Sequence, residues 1–488
     1  MTLARLVTPG AGLRRWHRIL SDALSRDGVV VELVSREAPQ RPAAVALLDE
    51  LEALLLARRR AGLFDPAPGA ATHRTEGQPD WIFDLSGRPE PEPGSVFPVY
   101  GGAVGDDARD ALLLCGAPAR IGLAKKDGDR LLLLAQAQIA IERPGSLAHA
   151  REAVATRLVT MIRALARRGT VTPLEVINVA PAGAGAVAGF LARSLAQRAR
   201  SRLGRLLAYE GHWRIGWRRP QDDGVRERLE WPGAARWTFL ADDRKRYYAD
   251  PLVFVKDGVT HVFCEEYPYA TRKGVISWFP LDSSGGPAHA PRVVLEAPVH
   301  LSYPFVFEHE GQIWMAPESS GSRSLALYRA DPFPDKWVLD RVLVADADLS
   351  DATLFEHEGR WWMTATTRED DGSSWDCMSL YAAPSPLGPW RQCGKGPALI
   401  DTGAARPAGR VFRRDDGLWR PAQDCAAGYG AGLSLCRIDH LDETGLRQTI
   451  ARRLGPPPGV RAVGVHTLEA GGGYEFIDLC GWRGKAGA

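Results

Sequence analysis

Six residues stand at matching places in repeated text and share a chemistry. Asp250, Glu265, Glu318, Asp351, Asp424 and His466 each lie near the open end of a strand-turn-strand segment. Carboxylates converging on one mouth can take or give a proton, stabilise positive charge or grip hydroxyls, which is the working set for glycosidic chemistry. Arg406 and Tyr303 fall in the same neighbourhood. A guanidinium can hold a phosphate or carboxylate in a bidentate grip, but it cannot donate a proton at neutral pH. Each of these residues also has a plainer use: an Asp at a strand start bonding backbone, a Glu tying a turn, an Arg pairing with the acids.

The elements that would position them are hairpins. FEHEG occurs at Phe307–Gly311 and again at Phe355–Gly359. The same template fits ADPLVFVKDGVTHVFCEEY, AGRVFRRDDGLWRPAQDC and, in degenerate form, GVHTLEAGGGYEFIDLC. The copies begin at residues 250, 303, 351, 409 and 466. A period near ~50 residues in β-type text signals a β-propeller, here with five blades. With two-residue turns at Asp257-Gly258, Glu310-Gly311, Glu358-Gly359 and Asp416-Gly417, Asp250 should face Glu265, Tyr303 face Glu318, Asp351 face Thr366 and Gly409 face Asp424. The six residues then share one rim. SLALYRA and SLYAAPS read as outer strands, and Trp314, Trp361 and Trp362 as blade packing. The last copy runs out of chain after two strands, so His212–Trp217 and Arg236–Leu240 are expected to complete the fifth blade.

The first third reads differently. Val29–Val34 and Asp80–Gly87, which ends in the turn text DLSG, suit buried strands, as do ALLLCG and RLLLLAQAQIAIE. PAAVALLDELEALLLARRR and a stretch from about Leu147 to Arg168 read as helices. Alternating strands and helices imply an α/β layer fold. The expected organisation is multidomain: an α/β domain over 1–172, a linker with a basic amphipathic helix over 173–210, and an all-β five-bladed propeller over 211–488. The helix carries Phe190, Leu191, Leu195, Leu203, Leu206 and Leu207 on one side, with Arg193, Arg198, Arg200, Arg202 and Arg205 beside them. It reads as a connecting helix or as a peripheral membrane contact through anionic headgroups.

Bulk properties agree with a folded protein of several domains. The chain has 488 residues, 45% hydrophobic and 25% charged. A formal net charge of +2 gives no push toward nucleic acid. Seven cysteines with no CxxC pair read as reduced thiols without a zinc site. The text shows neither a signal-type apolar run nor a membrane span, so the expected location is cytoplasmic, peripheral to the inner face of the membrane if the basic helix docks there. No GxGxxG follows the first strand and no P-loop occurs.

Together HLSYPFVFEHEGQIWMAPESS, GRWWM, SPLGPW, ARPAG, RPAQDC, YG and HTL resemble the propeller module of the glucosamine inositolphosphorylceramide transferase N-terminal family, over about residues 210 to 482. Bacterial members often follow a formyltransferase-like domain, and the α/β text here resembles such a Rossmann domain without its Asn, His and Asp. The propeller is also similar to five-bladed arabinanase and xylosidase glycosidases. That resemblance implies catalytic roles for Asp250 in ADP and Asp351 in SDATLF, and places His466 in VHTL near a central divalent cation such as calcium. It also implies a carbohydrate or glycoconjugate substrate. Where those glycosidases carry a general-acid Glu, this chain has Arg406. Either Glu318 or Asp424 replaces the acid, or the leaving group is already charged and Arg406 grips it. Glycosyl transfer with Asp250, Asp351 and Glu318 as catalytic residues, and Glu265, Tyr303, Arg406, Asp424 and His466 as substrate-binding residues, is the expected function. A non-catalytic glycan-binding propeller and a hydrolase with a relocated acid are the alternatives. In the plant family the propeller accompanies a separate transferase domain.

Overall fold

The computed structural model describes residues 2–10, 13–40, 42–56, 62–67, 77–116, 118–128, 130–168, 185–233 and 236–484. Residues 173–184 of the expected linker lie outside them. The chain divides into two compact units, Met1–Arg202 with Glu369–Ser373, and Leu203–Arg368 with Ser374–Ala488.

The first unit is a mixed α/β domain. Its elements are β1 (Leu3–Pro9), α1 (Arg15–Arg26), β2 (Val30–Arg36), α2 (Ala43–Leu56), β3 (Trp81–Asp84), β4 (Val96–Tyr100), β5 (Ala103–Val104), α3 (Asp106–Cys115), β6 (Ala119–Asp127), β7 (Arg130–Ile139), α4 (Leu147–Arg168) and α5 (Gly185–Leu207). The sheet runs β2-β1-β3-β4-β6-β7, with β5 on β4. β2, β1, β3 and β4 are parallel, whereas β6 and β7 are antiparallel. Parallel strands are covered on both faces, which is why Leu6, Phe83 and Val99 are buried. ALLLCG is the end of α3, not a strand: the apolar run takes helical spacing once DDARD precedes it, and Gly116 closes the helix at φ +74°. Glu52 of α2 caps α4, its Oε1 accepting Leu147 N–H at 2.7 Å and its Oε2 accepting Ala148 N–H at 2.9 Å.

His17 on α1 is 1% exposed. Its Nδ1 accepts the Arg14 N–H at 3.1 Å. Burial, helped by the Arg14 charge, lowers its pKa from 6.5 to about 3. The unfolded chain therefore takes up a proton below the ordinary His range that the folded chain refuses, so stability falls as pH drops from about 6.5 toward 3, by up to about 5 kcal/mol. Urea denaturation of wild type and His17→Gln at neutral pH and at mildly acidic pH checks this. The variant should lose distinctly less stability on acidification; equal losses would show that His17 does not carry the linkage.

The second unit is a five-bladed β-propeller. It begins with β8 (Ala208–Arg218), α6 (Val225–Arg228) and β9 (Thr238–Phe239). Blade one is β10 (Arg246–Lys256), β11 (Val259–Pro268), β12 (Val275–Pro280) and β13 (Arg292–Leu295). Blade two is β14 (His300–His309), β15 (Gln312–Ser320), β16 (Ser324–Ala330) and β17 (Trp337–Ala345). Blade three is β18 (Leu349–His357), β19 (Arg360–Thr367) and β20 (Cys377–Ala383), with β21 (Arg391–Gln392) and β22 (Leu399–Ile400) both on β20. Blade four is β23 (Phe412–Arg414), β24 (Gly417–Asp424), β25 (Gly432–Asp442) and β26 (Gly445–Leu454). Blade five is β27 (Leu468–Gly471) and β28 (Tyr474–Gly484), completed by β8 and β9 from the start of the unit. The closure expected from the missing strands is thus present: Ile477 pairs Gly216 and Gly216 pairs Phe239.

Apolar alternation along each strand feeds cores shared by neighbouring blades. Phe263 and Trp278 of blade one pack with Met315 and Trp337 of blade two. Phe305 and Trp314 pack with Leu354 and Met363 of blade three, and Trp362 with Leu418 of blade four. Trp419 packs with Leu468 and Leu479 of blade five, and Trp217 and Phe476 with Val253 and Phe279 of blade one. The ring of cores is closed.

Candidate functional site

The inner strands carry a shared irregularity. Ala249 pairs Glu265 and Leu252 pairs Phe263, Ser302 pairs Glu318 and Phe305 pairs Ala316, Ser350 pairs Thr366 and Thr353 pairs Thr364. One extra residue is therefore bulged out in each of the first three blades. This corrects the expected pairs: Asp250, Tyr303 and Asp351 face no single partner but sit in the bulge, at φ 51°, 43° and 54°. A β-bulge bends its strand and re-aims a side chain. Here it turns three neighbouring blades toward common contacts.

Those contacts run from blade to blade. Asp250 of blade one accepts the Tyr303 N–H of blade two through Oδ2 at 3.1 Å. The Tyr303 hydroxyl bonds Thr353 Oγ1 of blade three at 2.8 Å and accepts the Gly409 N–H at 2.9 Å. Tyr303 is fully buried and its hydroxyl is committed to the protein, so it ties blades and is not placed to stack on a sugar. Glu318 of blade two accepts the Asp351 N–H at 3.1 Å and the Ser350 hydroxyl at 3.2 Å. Gln423 of blade four donates to Asp351 Oδ2 at 2.9 Å. Contacts that link neighbouring blades around the ring meet at its axis.

Arg406 lies at the heart of this cluster. Its Nε is 2.7 Å from Asp351 Oδ2 and its Nη2 is 3.4 Å from Glu318 Oε2. Nη1 donates to Ser374 Oγ at 3.2 Å, and the guanidinium lies 5.3 Å from the Tyr429 ring centroid. Burial works against its charge, yet Asp351 and its neighbours hold the Arg406 pKa above its ordinary value. Burial raises the Asp351 carboxyl pKa, Arg406 opposing and Glu318 adding to it.

On the other side of the axis stand Asp250, His466 and Asp478, all buried, with ligand atoms within 4.8 Å of one another. Such a cluster can hold a divalent cation. Asp478 is spent internally: Oδ1 accepts the N–H groups of His466 and Thr467 at 3.1 and 3.0 Å, and Oδ2 accepts the Asp250 N–H at 2.9 Å and lies 2.6 Å from His466 Nδ1. It thus fixes the imidazole and leaves Nε2 directed at Asp250 Oδ1, 3.7 Å away, the arrangement of a carboxylate behind a metal-binding His. The donor set fits a cation held by His466 Nε2 beside Asp250. Trp213 stacks on His466 at 3.8 Å with the rings 13° apart. Gly430 permits that approach, because a Cβ there would stand 2.7 Å from the Trp213 ring. Tyr429, 42% exposed, meets His466 edge-on and has Trp375 5.7 Å away, so aromatic surface borders the cluster where it reaches solvent.

Two expected members stand elsewhere. Glu265 belongs to an adjoining group, with His300 Nε2 at 3.2 Å from its Oε1 and the Tyr247 hydroxyl at 3.4 Å. Asp424 is not on the axis: it pairs Gly432, and its Oδ2 accepts Arg453 Nη1 at 2.5 Å. The fourth hairpin turns at Asp415-Asp416, since Arg414 pairs Gly417 and Phe412 pairs Trp419, and the expected register is lost. Alternation along β24 gives the inward place to Gln423. Sequence reading missed Gln423, Asp478, Trp213 and Trp375. Asp478 had a signal: it is the one charge in the apolar run FIDLC.

The fold and site define a five-bladed propeller with a buried carboxylate–arginine–histidine cluster at its axis. Residues 240–451 match the family described as "Glucosamine inositolphosphorylceramide transferase 1, N-terminal". Two proteins called Glucosamine inositolphosphorylceramide transferase 1 are similar to this segment. That of Oryza sativa subsp. japonica is 31% identical over 201 residues, 40% of this chain and 26% of that protein. That of Arabidopsis thaliana is 32% identical over 208 residues, 41% of this chain and 27% of that protein. The chain thus spans about a quarter of the length of these curated relatives. Among solved structures, a thermostable family-43 glycoside hydrolase aligns at 14% identity and TM-score 0.35 over 48% of this chain and 88% of that one. The alpha-L-arabinofuranosidase of Podospora anserina aligns at 13% identity and TM-score 0.34 over 52% and 94%.

Proposed function

We propose that the second unit is a carbohydrate-active enzyme whose axial cluster transfers a glycosyl group from a donor with a charged leaving group, such as a sugar phosphate or nucleotide sugar, to a hydroxyl of a glycoconjugate. The observation that carries this reading is Arg406, set among the cluster carboxylates. An arginine cannot protonate a leaving oxygen, but it can stabilise one that already carries charge. In this reading Asp250 accepts the proton of the acceptor hydroxyl. Asp351 holds the guanidinium, and Glu318, at the longer of the two ion-pair distances, yields it to the leaving group. Tyr429, Trp375 and Glu265 supply ring and hydroxyl contacts, and a cation such as calcium on His466 would add fixed positive charge. The similarity of residues 240–451 to a transferase family supports the same class.

A second reading is a glycan-binding propeller without turnover. It is favoured by the placement of Arg406, whose nitrogens already face Asp351, Glu318 and Ser374.

The test offers a nucleotide sugar, a sugar phosphate and neutral aryl glycosides to wild type and Asp250→Asn. Turnover of the charged donors, falling at least ~1,000-fold in the variant while the melting temperature holds, is the expected result. Glycan binding with no turnover of any donor establishes the second reading. Preference for aryl glycosides overturns the charged-donor reading and favours a hydrolase.

The proposed location is cytoplasmic, with α5 touching an anionic membrane surface. Leu195 and Leu203 are each 59% exposed on it, and Arg200 and Arg202 are exposed beside them, whereas Phe190 is buried. Among the described residues no helix is long and apolar enough to cross a membrane.

A further inference from the structure

The turn text DLSG has no part in the propeller. It closes β3 in the first unit, at the edge where the carboxyl ends of β1, β2 and β3 lie together. Open α/β sheets bind ligands at that edge. A cavity of about 260 Å³ opens there between Pro9 at the end of β1, Ala38 and Pro39 after β2, and Leu85 and Ser86 after β3. A narrower space of about 30 Å³ shares Trp16, Phe64 and Arg109 with it and runs inward toward Tyr100.

The turn is built to present Ser86. Asp84 Oδ1 accepts the Ser86 N–H at 2.9 Å, and Oδ2 accepts the Glu92 N–H at 2.7 Å. Gly87, at φ +78°, passes so close to α3 that a Cβ would stand 2.6 Å from the Asp106 carboxyl carbon, and its carbonyl accepts the Asp106 N–H at 2.8 Å. Ser86 is 1% exposed, and its hydroxyl has no hydrogen-bond partner among the described residues. The buried Nε2 of His17, on the wall of the same cavity, faces the Leu85 backbone carbonyl without meeting hydrogen-bond geometry. An unpaired buried polar group is costly to the fold, and a ligand would offset that cost.

The chemistry of the wall selects that ligand. His17 Nδ1 accepts the Arg14 N–H, so the ring proton resides on Nε2, where the Leu85 carbonyl is its protein neighbour and a better-aligned acceptor would take it. Its pKa near 3, set chiefly by burial, keeps the ring neutral. Arg14 and Arg109 line the cavity with Asp106; Arg109 is paired to Asp106 at 2.6 Å and to Asp110 at 3.0 Å. Trp16 and Phe64 form a flat apolar side, with the Arg109 guanidinium 5.4 Å from the Phe64 centroid. We propose that this cavity binds a small ligand carrying an oxyanion on a flat apolar body, the oxyanion accepting from Ser86 Oγ–H and His17 Nε2–H and the body lying against Trp16 and Phe64. The site is independent of the propeller chemistry.

The experiment titrates the full chain with benzoate, acetate, inorganic phosphate and benzamide. Calorimetry reads affinity, and long-range proton–nitrogen spectra read the His17 ring. Benzoate should bind saturably, at least tenfold tighter than acetate, and shift the His17 Nε2 signal; benzamide should do neither. The phosphate and acetate arms tell which oxyanion the donors prefer. Ser86→Ala should weaken benzoate at least tenfold with an unchanged melting temperature, and Ser86→Thr should retain it. Benzamide binding as well as benzoate, a His17 signal unmoved by every anion, or undiminished binding in Ser86→Ala would each overturn the proposal. The His17 spectra of wild type decide the matter even if a Ser86 variant fails to fold.

Discussion

Arg406→Ala should destabilise the propeller by about 3–5 kcal/mol, the usual cost of removing one partner of a buried ion pair. The reason is what remains behind. Asp351 and Glu318 are 1% and 7% exposed, and Arg406 is the cation set between them. Without it two carboxyls face each other in a dry site, and one of them must take up a proton. Chemical denaturation of wild type and variant measures the loss. Arg406→Met combined with Asp351→Asn and Glu318→Gln removes all three charges and should recover most of the stability, because neutral side chains of similar volume avoid the desolvation cost. The triple variant should remain inactive, so stability and activity separate. An Arg406→Ala protein as stable as wild type would mean that the guanidinium does not compensate the acids.

Asp478→Ala should lower stability by about 4 kcal/mol or more, since each buried donor left without a partner costs roughly 1–3 kcal/mol. Three backbone N–H groups, of Asp250, His466 and Thr467, end on this one carboxylate, and the His466 ring leans on it as well. Asp478 lies on β28, and Asp250 opens the bulge of β10, so the side chain fastens the last blade to the first. A melting temperature lower by about 10 °C is expected, with early proteolytic cleavage near residues 460–470. Asp478→Asn keeps one acceptor oxygen and should recover about half of the loss. A variant that melts with wild type and resists protease equally would show that the five-blade ring is closed by its apolar cores alone.

Much of this protein is determined by local sequence. The copies that begin at 250, 303, 351, 409 and 466 determined the blade number, because a hairpin is specified by its own turn and alternation. The shortage of two strands in the last copy determined that 212–217 and 236–240 must close it. Asp250, Asp351, Glu318 and His466 were legible because they stand at the open ends of the repeated hairpins, and Arg406 because the resemblance put it where an acid was expected. α4 was legible from its spacing, whereas β1 and α1 passed unread: seven residues of LARLVTP and a helix with arginines between its apolar positions carry weak periodicity.

Tertiary structure decided the rest. The strand text does not announce a bulge, which costs one residue of register and appears only when neighbouring blades pull Asp250, Tyr303 and Asp351 to the axis. The side chain alternates with period two, so a displaced turn in the fourth hairpin was enough to exchange Asp424 for Gln423 at the centre. Tyr303 changed from a candidate sugar contact to a buried tie because its hydroxyl reaches Thr353 and Gly409, residues 50 and 106 positions away. Asp478 became central for the same reason: its partners gather only when the ring closes. A carboxylate's role is set by which donors and charges surround it, and for these residues the surroundings come from other blades.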